Sequence, residues 1–368
     1  MTGETCLEEK QNRRTSDQLI CIKCPDLAKV QLNLKDRYCL PCFQQFQQHK
    51  FRSTLGKNRL LRYEESVLIP FDGCPASCAL IHLLQQGLSH SAHKRLKIRP
   101  ILLHLSDDSS RDSGNWVGPN ELLSQCAWPR ATVDVSEALW RPEDTTITLH
   151  YFQGPKDLSP YDCLKSTEDS PSYEVLLDSV GSLTARQELR QRLRQQVVWR
   201  VAAQLGLSRI LGHETMTSLS VQVLSFLATG RGPQIRDSTA VHDGRFPKGD
   251  RCWIRPLREF SSKEIALYCH FNGLQAISDL RESGASLQGV SHDFVADLQT
   301  SFPATVATVF STAGKLGPAT VDVNSTRGNG CCKLCWSPTE LESHCSYCYS
   351  CGQLLKEVDV ALLPPFLQ

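Results

Sequence analysis

The sequence predicts an α/β fold, a parallel sheet with helices on both faces, carrying a four-cysteine module near each end of the 368-residue chain. Three observations predict it. Short apolar runs alternate with helical or loop sequence, the pattern of strands joined by crossover helices. A C-x2-C pair of pairs stands near the beginning and another near the end, and each pair of pairs supplies the four thiolates of a tetrahedral metal site. Between Val67 and Gly87 an apolar run, a tight polar turn and an apolar-periodic segment read as strand, loop and helix.

Composition limits the possible functions. With 40% hydrophobic residues the chain can bury a full core. Lys and Arg number 40 against 39 Asp and Glu, so any nucleic-acid contact must come from local basic stretches. No apolar run approaches the ~20 residues of a membrane span, and the polar opening lacks the apolar centre of a leader peptide. A cytosolic or nuclear location, with no membrane partner, is expected. Seventeen cysteines in such a compartment imply reduced thiols, some on metal.

Taken in order, residues 1–18 are polar and expected to be disordered. Cys21 and Cys24, then Cys39 and Cys42 after 14 residues, form the first knuckle pair, and four thiolates leave no open position, which favours structural zinc. Residues 43–62 carry His49, Lys50, Arg52, Lys57, Arg59 and Arg62 and no acid. They are either a phosphate-contacting surface or a solvated helix joining module to body. The body, 63–311, begins with a strand over Val67–Phe71 and a helix carrying Ala79, Leu80, Leu83 and Leu84. Further strands are predicted at 98–105 and 145–152, with Asp107 and Asp108 in a polar turn after the former. The acid-rich, Pro- and Ser-containing stretch 153–182 reads as an exposed insertion.

Thr184 with Gln187 looks like a capping box opening a long amphipathic helix, whose other face carries Arg186, Arg190, Arg192, Arg194 and Arg200. That face is either solvated or binds RNA. A short strand at 208–211, a turn at Gly212-His213-Glu214 and a helix over 216–228 follow. His213 and Glu214 fall near the rim where such sheets bind ligands; a helix-start turn explains them equally well. A strand at 253–257, a helix from Ser261 to His270 and a helical stretch broken at Pro303 complete the body. After a linker at 312–330, Cys332, Cys335, Cys348 and Cys351 give the second zinc candidate, in the module 331–368, with Cys331, His344 and Cys345 as possible substitutes.

The turn Asp72-Gly73-Cys74-Pro75-Ala76-Ser77 resembles the phosphate loop of the PP-loop ATP pyrophosphatases, whose pattern is S-G-G-x-D-S. Only Gly73 and Ser77 match it. A carboxylate at Asp72 would repel an incoming phosphate by about 1–4 kcal/mol per charge pair at ~4 Å, and the Cβ of Cys74 obstructs the close approach that Gly permits. ATP binding is therefore not expected. The blocks HKFRSTLGKNRL, LTARQEL, LATGRG, IRPLREFSSKEIALY, FPATVATVF and YSCG, with the two cysteine modules, resemble the second subunits of the cytosolic tRNA 2-thiolation complex from Cys21 to Cys351.

That resemblance implies a PP-loop fold, a catalytic partner subunit, tRNA for Lys, Glu and Gln thiolated at the wobble uridine, and sulfur from a thiocarboxylated ubiquitin-like carrier. It also places two sulfur-handling cysteines of the active relatives where this chain has Ser182-Leu183-Thr184 and Ala276-Ile277-Ser278-Asp279, neither with a thiol. A non-catalytic subunit is the resulting expectation, with Lys50, Arg52, Lys57, Arg59, Arg190 and Arg194 as candidates for tRNA contact. Cys269 then reads as a packing thiol. One alternative is an active ATP-dependent sulfurtransferase in which Cys74, at a helix N-terminus, is the reactive thiol. Another is a zinc-dependent interaction protein that touches no RNA.

Overall fold

The computed structural model describes residues 20–33, 35–57, 59–89, 95–106, 122–123, 126–140, 150–152, 173–245, 250–277, 286–316, 331–337, 346–364 and 367. The first knuckles are joined by a hairpin, β1 (Val30–Gln31) against β2 (Arg37–Tyr38), and lead into helix α1 (Leu40–Lys57). Then follow β3 (Glu65–Phe71), α2 (Pro75–Leu88), β4 (Ile98–Ser106), β5 (Arg130–Asp134), α3 (Val135–Trp140), β6 (His150–Phe152), α4 (Tyr173–Asp178) and α5 (Leu183–Gln204). The second half holds β7 (Arg209–Leu211), α6 (Met216–Ala228), α7 (Ile235–Thr239), β8 (His242–Asp243), β9 (Cys252–Ile254), α8 (Ser262–Phe271), α9 (Leu287–Ser301), α10 (Pro303–Ala313) and α11 (Tyr349–Leu355).

The main sheet runs in the order β6-β5-β4-β3-β7-β9-β8. Its five central strands are parallel, while β6 and β8 pair antiparallel at the two edges. β3 lies at the centre with Val67, Leu68 and Ile69 wholly buried, because in a parallel sheet covered on both faces every side chain of the strand meets a helix. One face packs Leu68, Leu103 and Val133 against α5 and the C-terminal cysteine module. The other packs Val67, Ile69 and Leu102 against α2, α8 and the N-terminal module through Phe43, Phe51 and Leu55 of α1.

The structure corrects several expectations. Within the predicted strand 145–152 the described part, β6, is antiparallel, and the neighbouring strand β5 was not foreseen. The cap of α5 is Ser182, whose side chain accepts from the Ala185 N–H at 3.2 Å. Thr184 and Gln187 instead accept from the Leu287 N–H and the Ser286 hydroxyl, tying α5 to the start of α9. The end of the supposed insertion forms α4, with Tyr173, Leu176 and Leu177 fully buried, so it is core there. The helix predicted from Ser261 is present, opened by a capping box in which Ser261 and Glu264 make both bonds, and the break at Pro303 separates α9 from α10. Residues 1–18, Asp107, Asp108, the strand start 145–149, His344 and Cys345 lie outside the described residues. Among those described, no helix is long and apolar enough to cross a membrane.

Candidate functional site

The site is built at the carboxyl end of the central strands. The chain leaves β3 at Asp72, turns at Gly73 with φ +79°, a conformation that glycine adopts without strain, and enters α2 behind Pro75. Cys74 is the N-cap: its Sγ accepts from the Ser77 N–H at 3.4 Å, and the Ser77 hydroxyl donates to the Cys74 carbonyl at 3.0 Å. The Ser77 N–H and hydroxyl, two of the groups that a phosphate loop would present, are thus engaged by the loop itself. Asp72 Oδ1 accepts from the Cys74 N–H at 3.0 Å, and Asp72 Oδ2 lies 3.2 Å from His213 Nε2.

His213 reaches the loop from the turn after β7. Gly212 makes that approach possible, since a Cβ there would collide with the Glu214 carboxylate and the Trp253 indole. Burial opposes charge on both partners, yet the imidazole holds the Asp72 carboxyl well below the ordinary carboxylate range, and Asp72 with Cys74 raises His213 well above the ordinary imidazole range. The sequence placed His213 at the rim but gave no sign of its pairing with Asp72, which only the adjacency of β3 and β7 creates. Beside the pair opens a cavity of about 420 Å³, lined among others by Asp72, Arg194, His213, Glu214, Arg245 and Arg255.

Of the positions where the resemblance puts sulfur-handling thiols, Ser182 caps α5, and the Ile277 N–H donates to the Gly73 carbonyl at 2.9 Å, while Ser278 and Asp279 lie outside the described residues. Cys269 is buried, points its thiol at the Pro75 carbonyl at 3.3 Å, and is pushed up to about 12 by burial, as befits a packing thiol.

The basic residues divide. Lys50 is not free for a phosphate: its ammonium lies 2.7 Å from Glu264 and over the Phe260 ring, clamping α1 to α8. Arg52 is half-buried on α1, and Lys57 and Arg59 are exposed. On α5 much of the arginine face is paired within the chain. Arg186 pairs with Asp178 and Arg190 with Glu174, Arg192 is buried against Glu188, and Arg200 donates to the Ala138 carbonyl. Arg194 faces the cavity and the half-buried His104, which desolvation first and then this cation push down to about 4.

Both predicted cysteine sets converge. Cys21, Cys24, Cys39 and Cys42 bring their sulfurs within 4.8 Å of one another, as do Cys332, Cys335, Cys348 and Cys351, whereas Cys331 stands outside the second set. Separations of 3.4 Å for Cys24 to Cys39, 3.6 Å for Cys24 to Cys42 and 3.7 Å for Cys335 to Cys348 suit four thiolates around one ion, for which bonds of about 2.3 Å give ligand separations near 3.8 Å. The second set accepts further donors, Arg231 Nη1 to Cys351 at 3.4 Å and Gln234 Nε2 to Cys348 at 3.6 Å.

With this geometry in hand, comparison with known proteins is informative. A family model for cytoplasmic tRNA 2-thiolation protein 2 matches residues 286–350. Cytoplasmic tRNA 2-thiolation protein 2-B of Xenopus laevis is 28% identical, over 96% of this chain and 79% of the relative. The Aedes aegypti protein 2 is 31% identical, over 82% of this chain and 67% of the relative. The chain belongs to the cytoplasmic tRNA 2-thiolation protein 2 family. Among solved structures, the U34-tRNA thiolase NcsA from Methanococcus maripaludis, determined with its [4Fe-4S] cluster, superposes with a TM-score of 0.61 over 92% of this chain and 95% of that one. At 14% identity that likeness shows the shared fold.

Proposed function

We propose that this chain is the non-catalytic subunit of a cytoplasmic heterodimer that 2-thiolates the wobble uridine of tRNA Lys, Glu and Gln with sulfur from a thiocarboxylated ubiquitin-like carrier. The observation that carries the reading is the loop Asp72–Ser77. Its acidic first residue is paired with His213 and accepts from the Cys74 N–H, and the Ser77 N–H is engaged by the Cys74 sulfur, so these groups are not presented to a phosphate. Adenylation and sulfur transfer then belong to the partner subunit, and this chain supports that subunit and extends the tRNA surface.

The chain is organised as a body over 63–311 with modules over 19–62 and 331–368, each module holding one structural zinc on its four thiolates. Arg52, Lys57 and Arg59 form the tRNA-contacting edge, next to the N-terminal zinc. Arg194 lines the cavity beside His104, and Lys50 and Arg190 serve as ties within the chain. Two measurements test this. Calorimetry with ATP and magnesium on the isolated chain is expected to show no binding, and the purified catalytic subunit is expected to thiolate tRNA fully only when this chain is added. Micromolar ATP binding, or loss of thiolation by an assembled complex carrying Cys74→Ser, would favour the active sulfurtransferase instead.

A further inference from the structure

The loop does more than lose a phosphate site. Asp72, Cys74 and His213 come from two separate elements, the turn after β3 and the turn after β7, and bring a carboxylate oxygen, a sulfur and an imidazole nitrogen within 4.8 Å of one another. An ion pair between Asp72 and His213 explains their 3.2 Å contact, and the Cys74 sulfur, which caps α2 by accepting from the Ser77 N–H at 3.4 Å, reaches the same point. We propose that these three residues form a third metal site, distinct from the two four-thiolate sets, that binds a zinc ion.

The donor chemistry selects the metal. Carboxylate, thiolate and imidazole are the three ligand types zinc accepts, whereas magnesium and calcium take oxygen donors. Three protein ligands leave a fourth position open, unlike the closed four-cysteine sets. The loop is shaped for this. The Asx-type bond from the Cys74 N–H takes Asp72 Oδ1 and leaves Oδ2 toward His213, while Gly73 at φ +79° lets residues 72 and 74 converge. A second, independent sign is the neighbouring carboxylate. The Glu214 carboxylate accepts from Trp253 Nε1 at 2.8 Å through Oε1, while its Oε2 is buried without a hydrogen-bond partner among the described residues, on the wall of the same cavity that Asp72 and His213 line. Such an atom needs a partner, and an ion with an open position beside it provides one through its bound water.

The inference does not depend on the tRNA reading, and its test needs no thiolation assay. The full-length chain, purified from zinc-supplemented medium, is compared with Asp72→Asn, His213→Ala and the control Cys78→Ser by elemental analysis per mole of protein. Cys78 sits in the same helix start but points at the Gly73 carbonyl. The expected result is loss of one zinc equivalent in Asp72→Asn and His213→Ala and none in Cys78→Ser, at unchanged helical circular dichroism. The extra equivalent should also be the first released to a chromogenic chelator. Equal zinc in the wild type and in folded Asp72→Asn would overturn the site and leave an ion pair alone. Asp72→Asn is nearly isosteric, so it keeps the test decisive should His213→Ala fail to fold.

Discussion

The two four-cysteine centres share a ligand set and differ in what surrounds it. The N-terminal centre is largely self-contained: the Lys23 N–H donates to Cys21 at 3.4 Å, and the nearest charged side chain to Cys24 is the acidic Asp26. Its module is held to the body by the apolar face of α1 and by side-chain ties such as Lys50 to Glu264 and Gln44 to Asn272. The C-terminal centre is set into the body. Cys332, Cys335 and Cys351 are buried in the same cluster as the strands and α5, and Gln196 of α5 donates to the carbonyls of Lys333 and Leu334 at 2.9 and 3.0 Å. Arg231, fully buried, bridges Cys351 and Glu188. Four thiolates on a divalent ion carry a net charge of −2, which costs little at a surface and much in a core, so only the C-terminal centre needs a buried cation.

The largest expected effect breaks this asymmetry at the metal itself. Zinc binding to such sets is worth about 10–16 kcal/mol in isolated fingers. Cys351→Ser should remove the C-terminal metal, uncover part of the main core and lower stability by more than about 5 kcal/mol. Cys24→Ser should remove the N-terminal metal while leaving the body folded, since α1 stays anchored by Phe43 and Phe51. Thermal unfolding with zinc content on the same samples checks both. Equal losses of stability would mean that the two modules are equally integral to the core.

Both centres were legible in the sequence because thiol spacing is a local property. So were β3, the helix after it and the helix start at Ser261, each encoded within a few residues. What was not legible depends on contacts between distant segments. Strand β5 reads RATVD, with a charge at each end; it is buried because the Arg130 guanidinium donates to the carbonyls of Leu123 and Cys126. The arginines of α5 look like a solvated or RNA-binding face until Glu188, Glu174 and Asp178 are brought against them. The Asp72 to His213 pair is of the same kind, separated by the crossover that makes β3 and β7 neighbours.

A second effect sharpens the comparison through Asp243, which reaches the C-terminal module through Arg245. Its carboxylate holds Arg245 at 2.6 Å and Arg255 at 3.4 Å, and Arg245 reaches on to Ser337 of the C-terminal module at 3.2 Å. Burial opposes ionisation, but Arg245 and then Arg255 hold this carboxyl down to about 2. A carboxyl depressed on folding contributes stability that is complete above its unfolded value of about 3.9 and is lost as pH falls through about 2. Asp243→Asn should therefore cost about 3 kcal/mol at pH 7, because two buried guanidinium groups lose their counter-charge. The gap from the wild type should close below pH 4. Denaturant unfolding of both proteins across pH measures it, and a gap independent of pH would show that the lost charge is not the cause.

The smallest effect lies on the other side of the comparison. Lys50 keeps about a fifth of its side chain exposed, pairs with Glu264 and sits 4.8 Å from the centre of the Phe260 ring. Removing its charge leaves Glu264 still bonded to the Ser261 N–H at 2.7 Å, so Lys50→Met should cost only about 1–2 kcal/mol. Because the ammonium is committed internally, the same substitution should leave tRNA binding by the assembled complex and its salt slope unchanged. Lys57→Glu with Arg59→Glu should weaken that binding and flatten its dependence on salt. If instead Lys50→Met matched the charge reversal in the binding assay, the pair with Glu264 would have to open on the RNA, and the N-terminal module would be the mobile partner of the two.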